Sequence, residues 1–97
     1  MNKYHLFFKK LSNNLKINII TALKKKEMSV NELCKGLGVE QSKLSHALAS
    51  LRCCRIVICK IKGKKRIYSL NKKTILPILN ILDKHEKKFC KGGCCAK

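Results

Sequence analysis

Two short apolar stripes separated by one tight turn constrain this chain more than any other feature. Val30, Leu33, Cys34 and Leu37 recur at the i, i+3, i+4, i+7 spacing of a helix with one buried face. Leu44, Ala47 or Leu48, and Leu51 mark a second such face, and only Gly38, Val39 and Glu40 stand between the two. Ser29 is placed to cap the first helix and Glu32, three residues on, to complete a capping box, with Gly36 and Gly38 expected to end it. The second helix is expected from about Gln41 to Cys54. A short helix, a glycine-containing turn and a second helix with a polar outer face form the helix-turn-helix pattern, whose second helix enters the DNA major groove. The segment from Val30 to Arg55 is therefore the candidate reading head.

The flanking segments complete the arrangement. Tyr4, Phe7, Phe8 and Leu11 give a short amphipathic helix with Lys9 and Lys10 on its wet side. Asn13 or Asn14 can cap a second helix bearing Leu15, Ile19, Ala22 and Leu23, which ends in Lys24, Lys25 and Lys26, where a helix C-terminus favours cations. From Ile56 the period changes to two. Val57, Cys59 and Ile61 face one way and Lys60 and Lys62 the other, until Gly63-Lys64 turns the chain into Arg66-Ile67-Tyr68-Ser69-Leu70. Thr74 can cap a last helix with Pro77 in its first turn and a stripe of Ile75, Ile78, Leu79, Leu82 and Phe89, ended by Gly92 and Gly93. The order α, α, α, α, β, β, α predicts a mainly α winged helix-turn-helix with a small β-hairpin. One domain over residues 1–89 is expected, followed by a cysteine-rich tail over 90–97. There is no internal repeat or low-complexity linker.

Charge narrows the function. At 97 residues the chain supports one core, and 23 Lys plus Arg against 5 Asp plus Glu leave a net charge of +18, which points to a polyanionic partner. The apolar runs are far shorter than the ~20 residues of a membrane span. The opening MNKYHLFFKKL lacks a signal-peptide pattern, so a cytoplasmic protein with no membrane partner is expected. The carboxylates Glu27, Glu32, Glu40, Asp83 and Glu86 are scattered, and no phosphate loop or nucleophile motif occurs, which disfavours an enzyme. Adjacent Cys53-Cys54 and Cys94-Cys95 do not supply the spaced pairs of a zinc ribbon.

Within the reading head the non-core positions of the second helix are Gln41, Ser42, Lys43, Ser45, His46, Ala49 and Arg52. Gln41 can bond adenine through two hydrogen bonds, and with Ser45 and His46 it is assigned to base reading. Ser42 can donate to phosphates or base acceptors, and Lys43 and Arg52 suit the phosphate backbone. The hairpin adds Lys60, Lys62, Lys64, Lys65 and Arg66, dense enough to follow phosphates or enter a neighbouring minor groove. The partner this implies is double-stranded operator DNA, with no cofactor needed to bind it. The competing reading is a winged-helix protein of low sequence preference that uses its charge without an effector.

The runs Ser29-Val30-Asn31-Glu32-Leu33-Cys34, Gln41-Ser42-Lys43-Leu44-Ser45-His46-Ala47-Leu48 and Leu51-Arg52, with Arg66-Ile67-Tyr68-Ser69-Leu70 after them, resemble the ArsR/SmtB family of winged-helix repressors over nearly the whole chain. The resemblance implies a homodimer built from the first and last helices. That agrees with the surplus of apolar residues on their stripes, and it would set two recognition helices one DNA turn apart. It also implies release from DNA by a metal or metalloid. Cys34 matches the first cysteine of the family's Cys-x-Cys arsenic and cadmium motif, but Gly36 stands at the second. Cys54 matches one cysteine of a cadmium- and lead-sensing branch, with Ser50 in its partner's place. Of the zinc site on the last helix, Lys72 and Thr74 occupy the first pair and only His85 fits the second.

Cys34 and Cys59 are expected to pack as small hydrophobes. In the tail, Gly92 and Gly93 let Cys90, Cys94 and Cys95 converge, and three thiolates suit arsenite, or cadmium or lead completed by Cys54. The alternatives for these thiols are a redox-sensitive disulfide or no role.

Overall fold

The computed structural model describes residues 2–89 of the chain. Its elements are helices α1 (Lys3–Leu11) and α2 (Asn14–Lys25), strand β1 (Met28–Ser29), helices α3 (Val30–Leu37) and α4 (Gln41–Cys53), strands β2 (Val57–Lys62) and β3 (Lys65–Leu70), and helix α5 (Ile75–Phe89). The sheet is antiparallel in the order β1-β3-β2.

Local chemistry sets the helix ends. The Asn13 side-chain oxygen accepts from the N–H groups of Leu15 and Lys16, at 2.9 and 3.2 Å, which fixes the start of α2. At α3 the capping box forms in full: the Glu32 N–H donates to Ser29 Oγ at 3.2 Å and the Ser29 N–H to a Glu32 carboxylate oxygen at 3.0 Å. Gly38 alone ends α3, with φ 65° and its N–H bonded to the Cys34 carbonyl. Gly36, expected to share that role, lies inside the helix, where a Cβ would stand 3.8 Å from the Met28 side chain. Helix α4 closes with Arg55 in the left-handed region, at φ 61°. The Ile56 N–H donates back to the Leu51 carbonyl, and the Asn71 side chain donates to the Arg55 carbonyl at 2.9 Å. Pro77 falls in the first turn of α5, as expected.

Strand β1 is the element the sequence did not announce, because two residues carry no periodicity. Met28 pairs with Tyr68 and Ser29 with Ile67, so the residue that caps α3 also joins the sheet. This ties the reading head to the base of the hairpin. In the hairpin Lys62 pairs with Lys65 across a two-residue loop whose first residue, Gly63, takes φ 63°. The expected alternation holds, but Ile61 is 73% exposed because the hairpin extends beyond the core.

The core is built by α2, α3, α4 and the sheet. Ile19, Leu33, Leu44, Leu48, Leu51, Ile56 and Val57 are sealed from solvent. Helix α1 buries none of its residues, although Phe7 and Leu11 pack against the core, and of the described α5 side chains only Ile75 is buried. Lys24 pairs with Asp83 and so links α2 to α5.

Candidate nucleic-acid interface

The buried face of α4 consists of Leu44, Ala47, Leu48 and Leu51, and this leaves Gln41, Ser42, Lys43, Ser45 and His46 exposed over its first two turns. No side chain caps α4, so its first backbone N–H groups are left to solvent or to a phosphate. The helix therefore presents hydrogen-bonding side chains and a partial positive charge at the same end.

The wing meets this end. Gln41 shares one cleft, of 490 Å³, with Lys64, Lys65 and Arg66 of the hairpin and with Asn31 and Lys35 of α3. Base-reading and phosphate-tracking groups thus border the same space, a proximity that residues more than twenty positions apart do not reveal in sequence. Glu32 also lines the cleft. Its carboxylate is bound up in the capping box: the Ser29 backbone and side-chain hydrogen bonds hold its pKa below the ordinary glutamate range, helped by the charges of Lys26 and Lys65.

The wing cations are not equivalent. Lys62 is 2.9 Å from a Glu27 carboxylate oxygen, and the hydrogen bond and charge of Lys62 lower the Glu27 pKa. This exposed pair competes weakly with a phosphate for Lys62. Lys64, Lys65 and Arg66 are exposed around the loop. Arg52 is exposed as well, on the last turn of α4, away from the cleft.

The thiols divide by burial. Cys34 and Cys59 are half-buried and pack against the core, while Cys53 and Cys54 are exposed at the end of α4. Cys90, Cys94 and Cys95 lie outside the described residues. Lys72, Thr74 and His85 are exposed, and among the described residues no group of three or more His, Cys, Asp or Glu is placed to hold a metal ion.

Residues 13–58, which span α2, β1, α3, α4 and the start of β2, match the model of the bacterial regulatory protein, arsR family. Rv0081 of M. tuberculosis is 31% identical and superposes with a TM-score of 0.79 over 88% of this chain and 86% of its own. The chain belongs to the arsR family. The transcriptional repressor BigR from Xylella fastidiosa is 28% identical, with a TM-score of 0.75 over 92% of this chain and 85% of its own. A homodimeric winged helix-turn-helix DNA-binding domain, Mb0332 from Mycobacterium bovis, shares the fold at 17% identity, with a TM-score of 0.69 over 82% of this chain and 77% of that one. No curated protein matches the sequence. This arsR-family protein is a DNA-binding transcription regulator of the winged-helix type and not an enzyme. No helix among its described residues is long and apolar enough to cross a membrane.

Proposed function

We propose that this regulator is a homodimeric repressor that holds operator DNA with the start of α4 and the wing, and releases it when a thiophilic metalloid or metal binds its cysteines. The observation that carries the reading is the cleft shared by Gln41, Lys64, Lys65 and Arg66, beside the exposed Ser42, Lys43, Ser45 and His46. Gln41, Ser45 and His46 read base edges, while Ser42, Lys43, Arg52 and the wing cations hold phosphates. The cytoplasm, where DNA is reached directly, is the compartment this role requires.

Dimerisation is supported by the apolar side chains that α1 and α5 leave uncovered, Tyr4, Leu6 and Phe8 on one and Ile78, Ile81 and Leu82 on the other. BigR is a repressor and the Mb0332 domain is homodimeric, which favours the same for this chain.

The proposed effector is arsenite, cadmium or lead, taken by Cys90, Cys94 and Cys95 with Cys54 as a further ligand. Three or four thiolates are a donor set suited to soft ions. Cys54 is exposed at the end of α4 and so open to a ligand from outside the core. Titrating arsenite or cadmium into the protein–DNA complex tests this. We expect affinity to fall by ~5- to 150-fold, and the response to be lost when Cys90, Cys94 and Cys95 are replaced by Ser. Unchanged affinity with both ions would overturn the effector assignment.

A further inference from the structure

The C-terminal half of α4 and strand β2 border a second cavity, of 580 Å³, apart from the cleft between Gln41 and the wing; of its lining only Arg52 doubles as a proposed phosphate contact. Arg52, Cys53, Arg55 and Cys59 give it a polar side, and Ala49 and Val57 an apolar one. Two cysteines and two arginines bordering one space suit a ligand with both a sulfur centre and carboxylates, since arginine can pair with carboxylate through two parallel hydrogen bonds.

A second observation concerns Arg55. It occupies the left-handed position after α4, at φ 61°, a conformation disfavoured for any residue with a Cβ and usually filled by glycine. The Asn71 side chain, bonded to the Arg55 carbonyl, holds it there. An arginine is thus kept where backbone conformation alone would prefer glycine, and it is among the residues that line the cavity.

We infer that this cavity binds an anionic low-molecular-weight disulfide, whose carboxylates Arg52 and Arg55 hold while Cys53 exchanges with it. Cys53 is the exposed thiol and Cys59 the half-buried one, so Cys53 meets the ligand. Its thiolate attacks one sulfur of the disulfide. A bond forms between Cys53 and that half of the ligand as the ligand's own S–S bond breaks, and the other half leaves as a thiolate that takes up the proton Cys53 has lost. The adduct sets carboxylates beside Arg52, which is then unavailable to a phosphate, and DNA binding weakens. The site is independent of the tail thiols and stands whether or not metals act on the protein.

Cys54 supplies the internal control: it is exposed like its neighbour Cys53 but does not line the cavity. The reduced full chain, with its Cys53→Ser and Cys54→Ser variants, is treated with oxidised glutathione or with the uncharged bis(2-hydroxyethyl) disulfide, and adducts are assigned by fragmentation mass spectrometry. Glutathione should reach Cys53 about fivefold faster than Cys54, the effect of two partly screened ion pairs, and the uncharged disulfide should label both alike. Replacing Arg52→Gln together with Arg55→Gln should erase the preference without slowing the uncharged reagent, and ~1 M salt should erase it in the native protein. Glutathionylation should lower DNA affinity severalfold, reversibly with dithiothreitol, and not in Cys53→Ser. Equal glutathione rates at Cys53 and Cys54, or a preference that survives both arginine replacement and salt, would overturn the site. An adduct without effect on DNA would overturn its regulatory role.

Discussion

Leu33, Leu44, Leu48 and Leu51 of α3 and α4 are sealed from solvent, whereas Tyr4, Leu6 and Phe8 of α1 and Ile78, Ile81 and Leu82 of α5 are between 48% and 67% exposed. Both regions carry apolar residues at helical spacing, yet one spends them on its own core and the other leaves them uncovered. The reading head is thus held by the single chain, and the terminal helices are shaped to be covered by something else. The position of α4 relative to the wing follows from the monomer's packing, while the spacing of two reading heads would follow from the terminal helices.

Substitutions in the reading head and in the terminal helices should act differently. Leu44→Ala should cost about 2–5 kcal/mol in denaturant unfolding, the range for emptying a packed core position. Within the interface, Gln41→Ala or His46→Ala should lose about 1–3 kcal/mol on operator DNA and relax its sequence preference, as measured by competition against altered sites. Lys64→Ala should weaken all DNA alike and lower the salt slope by about one, and Lys62→Ala should do less because Glu27 already holds Lys62. Ile81→Lys should change the stability of a single subunit by no more than about 0.5 kcal/mol. It should also abolish dimers in sedimentation and any rise of melting temperature with protein concentration. A loss as large as that of Leu44→Ala would show that α5 belongs to the monomer's core.

The smallest effect is on pH dependence. The Glu27 pKa is depressed in the folded protein, chiefly by the hydrogen bond and charge of Lys62. Its stabilising contribution is therefore present above the unfolded glutamate value of about 4.3, and is lost as the pH falls through the lowered folded value. Melting temperature followed from about pH 6 to about pH 3 should show a slightly shallower acid decline in Glu27→Gln.

The features legible in the sequence were those decided within a few residues. Asn13, the Ser29–Glu32 box, Gly38 and Gly63 each act over a turn or less, and the structure places them as their chemistry requires. What escaped depends on distant partners. Pairing with Tyr68 and Ile67 makes Met28 and Ser29 a strand, and Glu27 restrains Lys62 from 35 positions away. Gly36 reads as a helix end but is carried through the helix with the Met28 side chain beside it. Arg55 adopts the conformation of a glycine because Asn71 and the end of α4 hold it there. The α4 surface residues could be named in advance from the helical period, but their convergence with the wing tip could not.

The most direct test of DNA reading by α4 is a comparison of affinities, at physiological salt, for DNA from upstream of the protein's own gene and for a scrambled duplex of the same length and composition. A reading head at the start of α4 requires a clear preference for the upstream DNA that Gln41→Ala and His46→Ala each reduce. Equal affinity for the two duplexes, unaffected by either substitution, would contradict it and leave a protein that binds DNA through charge alone.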